Sequence, residues 1–138
     1  MRKPITVTLA ALAAVLVLPS TASATPGSGV AGTILAQKTI GHTDYTLREI
    51  TIQPGGYTGW HFHDGTLYAY VKAGTLTHNV ADCSVDGVYG AGRAFTEAPD
   101  QVHIGRNLGS TPLVLEVLYV LPAGSPLSED APDPGCGF

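Results

Sequence analysis

PGGYTGWHFHDGTLYAYVKAGTL, residues 54–76, carries two histidines one residue apart, His61 and His63. An extended chain alternates its faces with period two, so a strand here points both imidazoles to the same side. Gly55, Gly56 and Gly59 precede the pair, and Gly65 and Gly74 follow it. A third histidine, His103, arrives in a second short segment, EAPDQVHIGRNLG, residues 97–109. Two imidazoles on one strand and a third from a distant strand are a donor set for one metal ion inside a β-barrel.

Outward from this stretch, the pattern stays that of short strands. Thr33 to Gln37 is expected as a first strand. Tyr45 to Ile52, YTLREITI, is rich in β-branched and aromatic residues and reads as another. Asp64-Gly65 is a tight-turn dipeptide, and Leu67 to Lys72 follows it. There Leu67, Ala69 and Val71 are expected on the histidine side, with Tyr68, Tyr70 and Lys72 on the other. Thr75 to Val80, Cys83 to Tyr89, Ala94 to Glu97 and Gln101 to Asn107 continue the series. Leu113 to Leu121, LVLEVLYVL, is nearly all apolar and is expected to be central and covered on both faces. No helical period and no internal repeat is visible, so the chain reads as a sandwich or barrel.

The residues also resemble a known family. Pro54-Gly55-Gly56, His61-x-His63 and Gly74 resemble the first motif of the cupins, and Gly92, Pro99, His103 and Asn107 resemble the second. The likeness spans Ile34 to Pro122. It implies a single all-β domain, a double-stranded β-helix or jelly-roll barrel over residues 33–122, with His61, His63 and His103 as metal ligands. It names no reaction, since cupins include dioxygenases, isomerases, decarboxylases, lyases and binding proteins. Cupins often pair through their sheet faces, so the likeness allows a homodimer.

One departure matters. A glutamate usually follows the second histidine of the first motif by four residues and supplies a carboxylate ligand; here that position is Leu67. Three neutral imidazoles leave a divalent ion its full charge. That disfavours magnesium, calcium and manganese and favours iron, zinc, copper or nickel. The three-histidine set is similar to that of the thiol-dioxygenase branch in ligand type only. Two functions follow: a metal-dependent, oxygenase-like small-molecule enzyme, or a non-catalytic extracellular binding protein that keeps the barrel pocket and lacks a working metal site. Either way a small molecule is expected in the barrel.

Other residues carry weaker signals. Glu97 precedes His103 and has the chemistry to replace the missing carboxylate, but it reads better as a rim residue in water. Arg93 and Arg106 suit an anionic ligand or a solvated face equally. Tyr57 and Trp60 flank the histidine strand, as pocket lining or as ordinary packing. His78 lies outside both motifs and is not assigned to the metal, His42 reads as a solvated loop residue, and Glu116 interrupts the most apolar strand.

The two ends bound the setting. MRKPITVTLAALAAVLVLPSTASA, residues 1–24, has a basic start, an apolar run and Ala22-Ser23-Ala24, and reads as a signal peptide cleaved after Ala24. A secreted, bacterial protein is expected, with no membrane contact after cleavage. Residues 25–32 read as a flexible lead-in and residues 123–138 as a Pro/Gly-rich tail. Cleavage removes two of the seven basic residues and none of the eleven acidic ones, so no nucleic-acid partner is expected. An even pair of cysteines in an exported chain, Cys83 and Cys136, suggests a disulfide tying the tail to the barrel, with two free thiols as the alternative. No phosphate loop, serine nucleophile elbow or paired carboxylates are present.

Overall fold

The computed structural model describes residues 25–138; the signal-peptide expectation falls on residues 1–24 and lies outside them. Ten strands follow one another: β1 (Ser28–Ile40), β2 (Thr43–Tyr57), β3 (His61–Phe62), β4 (Thr66–Ala73), β5 (Thr75–Val80), β6 (Val85–Gly90), β7 (Ala94–Glu97), β8 (His103–Arg106), β9 (Leu113–Pro122) and β10 (Glu129–Asp130). All pairings are antiparallel. One run is β1-β2-β9-β4-β7 and the other is β10-β3-β8-β5-β6, and they meet where Tyr57 of β2 pairs with Arg106 of β8. This is the expected all-β jelly-roll barrel, a double-stranded β-helix in a single domain.

Alternation places the core. In β4, Leu67, Ala69 and Val71 are buried while Tyr68, Tyr70 and Lys72 are exposed, as the period of two predicts. In β9, Leu113, Leu115, Val117, Tyr119 and Leu121 are buried between the two runs. The strand is central, between β2 and β4, but only this face is fully covered. Glu116 lies on its half-buried outer face, directly opposite Glu49 of β2. Lys72 Nζ sits 2.9 Å from Glu116 and 2.7 Å from Glu49 and relieves the repulsion between the opposed carboxylates. The chain crosses from one run to the other at Gly74, between β4 and β5. Its φ of 75° and the Pro112 carbonyl, 2.7 Å from where a β-carbon would stand, leave no room for a side chain.

The boundaries differ from expectation at both ends. β1 begins at Ser28, takes in residues read as a flexible lead-in, and pairs with β2 almost throughout. Its thirteen residues are exposed, so pairing rather than burial holds it, and composition carries no mark of that. The tail, too, forms structure: Glu129 and Asp130 pair with Phe62 and His61, and Cys136 is disulfide-bonded to Cys83, 53 residues away.

Candidate metal centre

The three histidines arrive from two adjoining strands. His61 opens β3, His63 follows its end, and His103 opens β8, where it is the register partner of His61. Their ring centroids are 4.4 to 5.2 Å apart. In each ring Nδ1 faces a backbone carbonyl: Gly59 at 2.9 Å from His61, Leu127 at 2.7 Å from His63 and Gln101 at 2.7 Å from His103. A carbonyl only accepts, so each Nδ1 carries the proton and donates, and each Nε2 keeps its lone pair. Nε2 of His63 and of His103 are buried without a hydrogen-bond partner. One ligand atom from each of the three residues lies within 4.8 Å of the others. Burial, with His103 adding to it, pushes the pKa of His61 down to about 3, so that ring is neutral.

Glu97 does not stand in water at the rim. It ends β7 with a side chain only 12 % exposed, its Oε2 3.2 Å from His63 Nε2 and 3.4 Å from His103 Nε2. Glu97 closes the short segment Ala94 to Glu97, four residues that are too few for alternation to fix its direction. Pairing with β4 sets that direction inward. Burial raises the Glu97 carboxyl, but the close approach of the His103, His63 and His78 rings outweighs it and holds the group well below the usual carboxylate range.

His78, unassigned from the sequence, joins the cluster. It is buried on β5, with Nε2 3.4 Å from Glu97 Oε1 and Nδ1 2.6 Å from Asp86 Oδ1. His78, Glu97 and His103 form a second group of metal-capable donors. His103 belongs to both groups and, with Nδ1 engaged, offers only Nε2, so the two groups are alternatives for one ion or parts of one site.

A cavity of about 40 Å³ borders these groups, walled by Ile50, Leu76, Phe95, Leu115 and Val117. Outside it lies a wider mouth of about 110 Å³, bounded by His61, Arg48, Tyr119, Ser128 and Asp130. The arginines singled out from the sequence are elsewhere. Arg93 is on an exposed turn, and the Arg106 guanidinium lies 3.8 Å over the ring of Phe138. Arg48, which the sequence reading passed over, shares the inward phase of β2 with Thr46, Ile50 and Ile52. Trp60 packs with Ile104 and Ala131 rather than lining the mouth, and Tyr57 is partly exposed.

A family model for the cupin domain matches residues 48–121. The chain belongs to the cupin family. Among solved structures, this cupin is similar to the polyketide cyclase RemF from Streptomyces resistomycificus, at 20% identity over 80% of this chain and 79% of that one, with a TM-score of 0.61. A cupin domain from Bordetella pertussis Tohama I is 23% identical over 70% of this chain and 95% of that one, with a TM-score of 0.55. An oxalate oxidase in complex with glycolate is 22% identical over 68% and 51%, with a TM-score of 0.56. At such identities the likeness speaks for the fold. The comparison with curated proteins finds no match.

The donor set fits a metal ion. Of the cupin's three histidines, His63 and His103 present buried Nε2 atoms without a hydrogen-bond partner, and an anionic carboxylate stands within 3.4 Å of both. Leu67, at the usual glutamate position, is 1 % exposed and belongs to the apolar core. Because Glu97 returns a carboxylate, manganese suits the site as well as iron, zinc, copper and nickel do, contrary to the expectation from three histidines alone.

Proposed function

We propose that this cupin binds one transition-metal ion through Nε2 of His61, His63 and His103, with Glu97 as the carboxylate beside them, and acts as a metal-dependent enzyme on a small molecule in the barrel. The observation that carries the reading is the orientation of the three rings. Each Nδ1 is held by a backbone carbonyl of a different segment, so all three free nitrogens converge before any ligand arrives. Iron, zinc, copper, nickel and manganese suit such a mixed imidazole and carboxylate set.

A transition-metal ion bound there would supply Lewis-acid or redox chemistry at positions the protein leaves open. The chain's own residues do the rest. The apolar wall of Ile50, Leu76, Phe95, Leu115 and Val117 limits water, and Glu97, held ionised, keeps a negative charge where a cation binds. An oxygenase-like reaction is the specific form proposed, with iron or copper as its metal. Export with removal of residues 1–24 belongs to the same proposal, and the Cys83–Cys136 disulfide supports it because such bonds persist in oxidising compartments.

Elemental analysis of residues 25–138, purified without a histidine tag, tests the metal. Near-stoichiometric metal in the wild type, lost in His61→Ala and in His103→Ala, is expected. A wild type that takes up none after reconstitution would sink the reading and favour a ligand-binding barrel without a metal. Oxygen uptake by the loaded protein over a panel of small substrates tests the reaction class, and its absence there removes the oxygenase form alone.

A further inference from the structure

The mouth of the site holds a charge that the protein itself does not neutralise. Arg48 points inward from β2, in phase with Ile50 and Ile52, and is the register partner of Val117 on β9. Its guanidinium lies along the backbone of β1 at Gly32, where a β-carbon would collide with it. Tyr119 bounds the same mouth and sits edge-on beside His63, the ring centroids 5.7 Å apart. Among the described residues, no carboxylate lies within ion-pair distance of Arg48. Asp130 bounds the same mouth from the tail without pairing with it, and Glu97 is already engaged by three histidines.

A half-buried guanidinium offers five N–H donors in a planar fork and carries a charge that no carboxylate of the described residues meets. A carboxylate matches the fork with two parallel, charge-assisted bonds. Asp130 across the mouth disfavours a second negative charge on the ligand. The inner cavity is small, about 40 Å³, against the roughly 300–1,000 Å³ of sites for drug-sized ligands, and opposite the histidines and Glu97 its wall is the apolar set Ile50, Leu76, Phe95, Leu115 and Val117. The body of the ligand must therefore be short and apolar.

We propose that the ligand of this barrel is a small monocarboxylate with a short apolar body, its carboxylate held at the mouth by Arg48 and its body directed toward the histidine cluster. This deepens the metal-site reading, on which it rests for what meets the inner end of the ligand. Gly32 is the residue that lets β1 close over the guanidinium without displacing it.

Isobutyrate and its neutral isostere isobutyramide are the probes, titrated calorimetrically into metal-loaded and chelator-stripped protein, with metal content measured in every sample. In the wild type, isobutyrate binds at least tenfold tighter than isobutyramide, in the stripped protein as well. Arg48→Gln removes that preference at unchanged metal content, Arg48→Lys retains part of it, and Gly32→Ala weakens it because the added methyl displaces the guanidinium. Thermal melts confirm folding, and Gly32→Ala keeps the test decisive if Arg48→Gln does not fold. Equal binding of the two probes, no binding of isobutyrate, or full affinity in folded Arg48→Gln would overturn the proposal. Preference that depends on Arg48 in a protein that takes up no metal would uphold it and overturn the metal reading instead.

Discussion

Glu97 on β7 is the direct cross-strand partner of Leu67 on β4. Residues opposed in this way share a face of the sheet, so a carboxylate at one position reaches the space that a carboxylate at the other would fill. The cupin motif lacks its glutamate at Leu67, and the neighbouring strand supplies one. The carboxylate has moved along the sequence by thirty residues and across the sheet by one strand.

If Glu97 has taken over that role, Glu97→Gln should lower zinc affinity roughly 10–100-fold, as the loss of a partner of metal-bound histidines typically does. The double variant Glu97→Gln, Leu67→Glu should regain much of it. Competition against a chromophoric chelator measures both. A folded double variant no better than Glu97→Gln would show that the two positions are not equivalent.

The low pKa of His61 makes stability pH-dependent in the metal-free protein. Burial first, and His103 second, hold the folded-state value at about 3 against an ordinary 6.5, so between these values the unfolded chain binds a proton that the folded chain refuses. Stability therefore falls as pH drops below about 6.5, by up to about 1.4 kcal/mol per unit. Glu97, with its lowered pKa, adds a loss of the same sign only as pH falls through and below the ordinary carboxylate range. His78 acts oppositely: burial lowers its pKa, but Glu97 and Asp86 together raise it, so its contribution is lost as pH rises above 6.5. Urea midpoints at pH 6.5 and 5 should differ in the wild type and nearly coincide in His61→Asn.

The disulfide acts on the site through the tail. Leu127 gives its carbonyl to His63, Asp130 pairs with His61, and the Ala131 amide donates to the Trp60 carbonyl at 2.9 Å. Cys136, bonded to Cys83, pins the segment a few residues further on. Closing a loop of this size stabilises by roughly 2–4 kcal/mol. Cys136→Ser should lower the melting temperature and, more tellingly, should speed hydrogen exchange at Ala131 more than at the β2–β9 amides. Uniform acceleration across both regions would mean that the tail is not a separate strap.

Asn107 is fully buried. Its Nδ2 donates to the carbonyls of Ile52 at 2.9 Å and Thr111 at 2.8 Å, and its Oδ1 accepts from Gly109. Asn107→Ala strands these partners, so a loss of about 2–4 kcal/mol is expected. A shifted urea midpoint at constant slope is the readout. Metal content per folded molecule should not change, because the side chain lies outside the histidine cluster.

What the sequence determined by itself was whatever is written in local periodicity. The inward phase of Leu67, Ala69 and Val71, the all-β class and the histidine set His61, His63 and His103 followed from spacing and motif. The Cys83–Cys136 bond followed from cysteine parity in a chain read as exported. Tertiary structure decided whatever depends on which strand lies beside which. Glu97 and His78 enter the site because β7 pairs with β4 and β5 with β8, and Arg48 faces the mouth because β2 turns that phase inward. Of β1, only Thr33 to Gln37 is marked in the sequence; its extension to Ser28 and Ile40 rests on pairing with β2, because a strand exposed on both faces has no apolar alternation to mark it. The physical reason is common to all of these: a side chain's face follows from its own strand, while its neighbours follow from pairing between segments far apart in the chain.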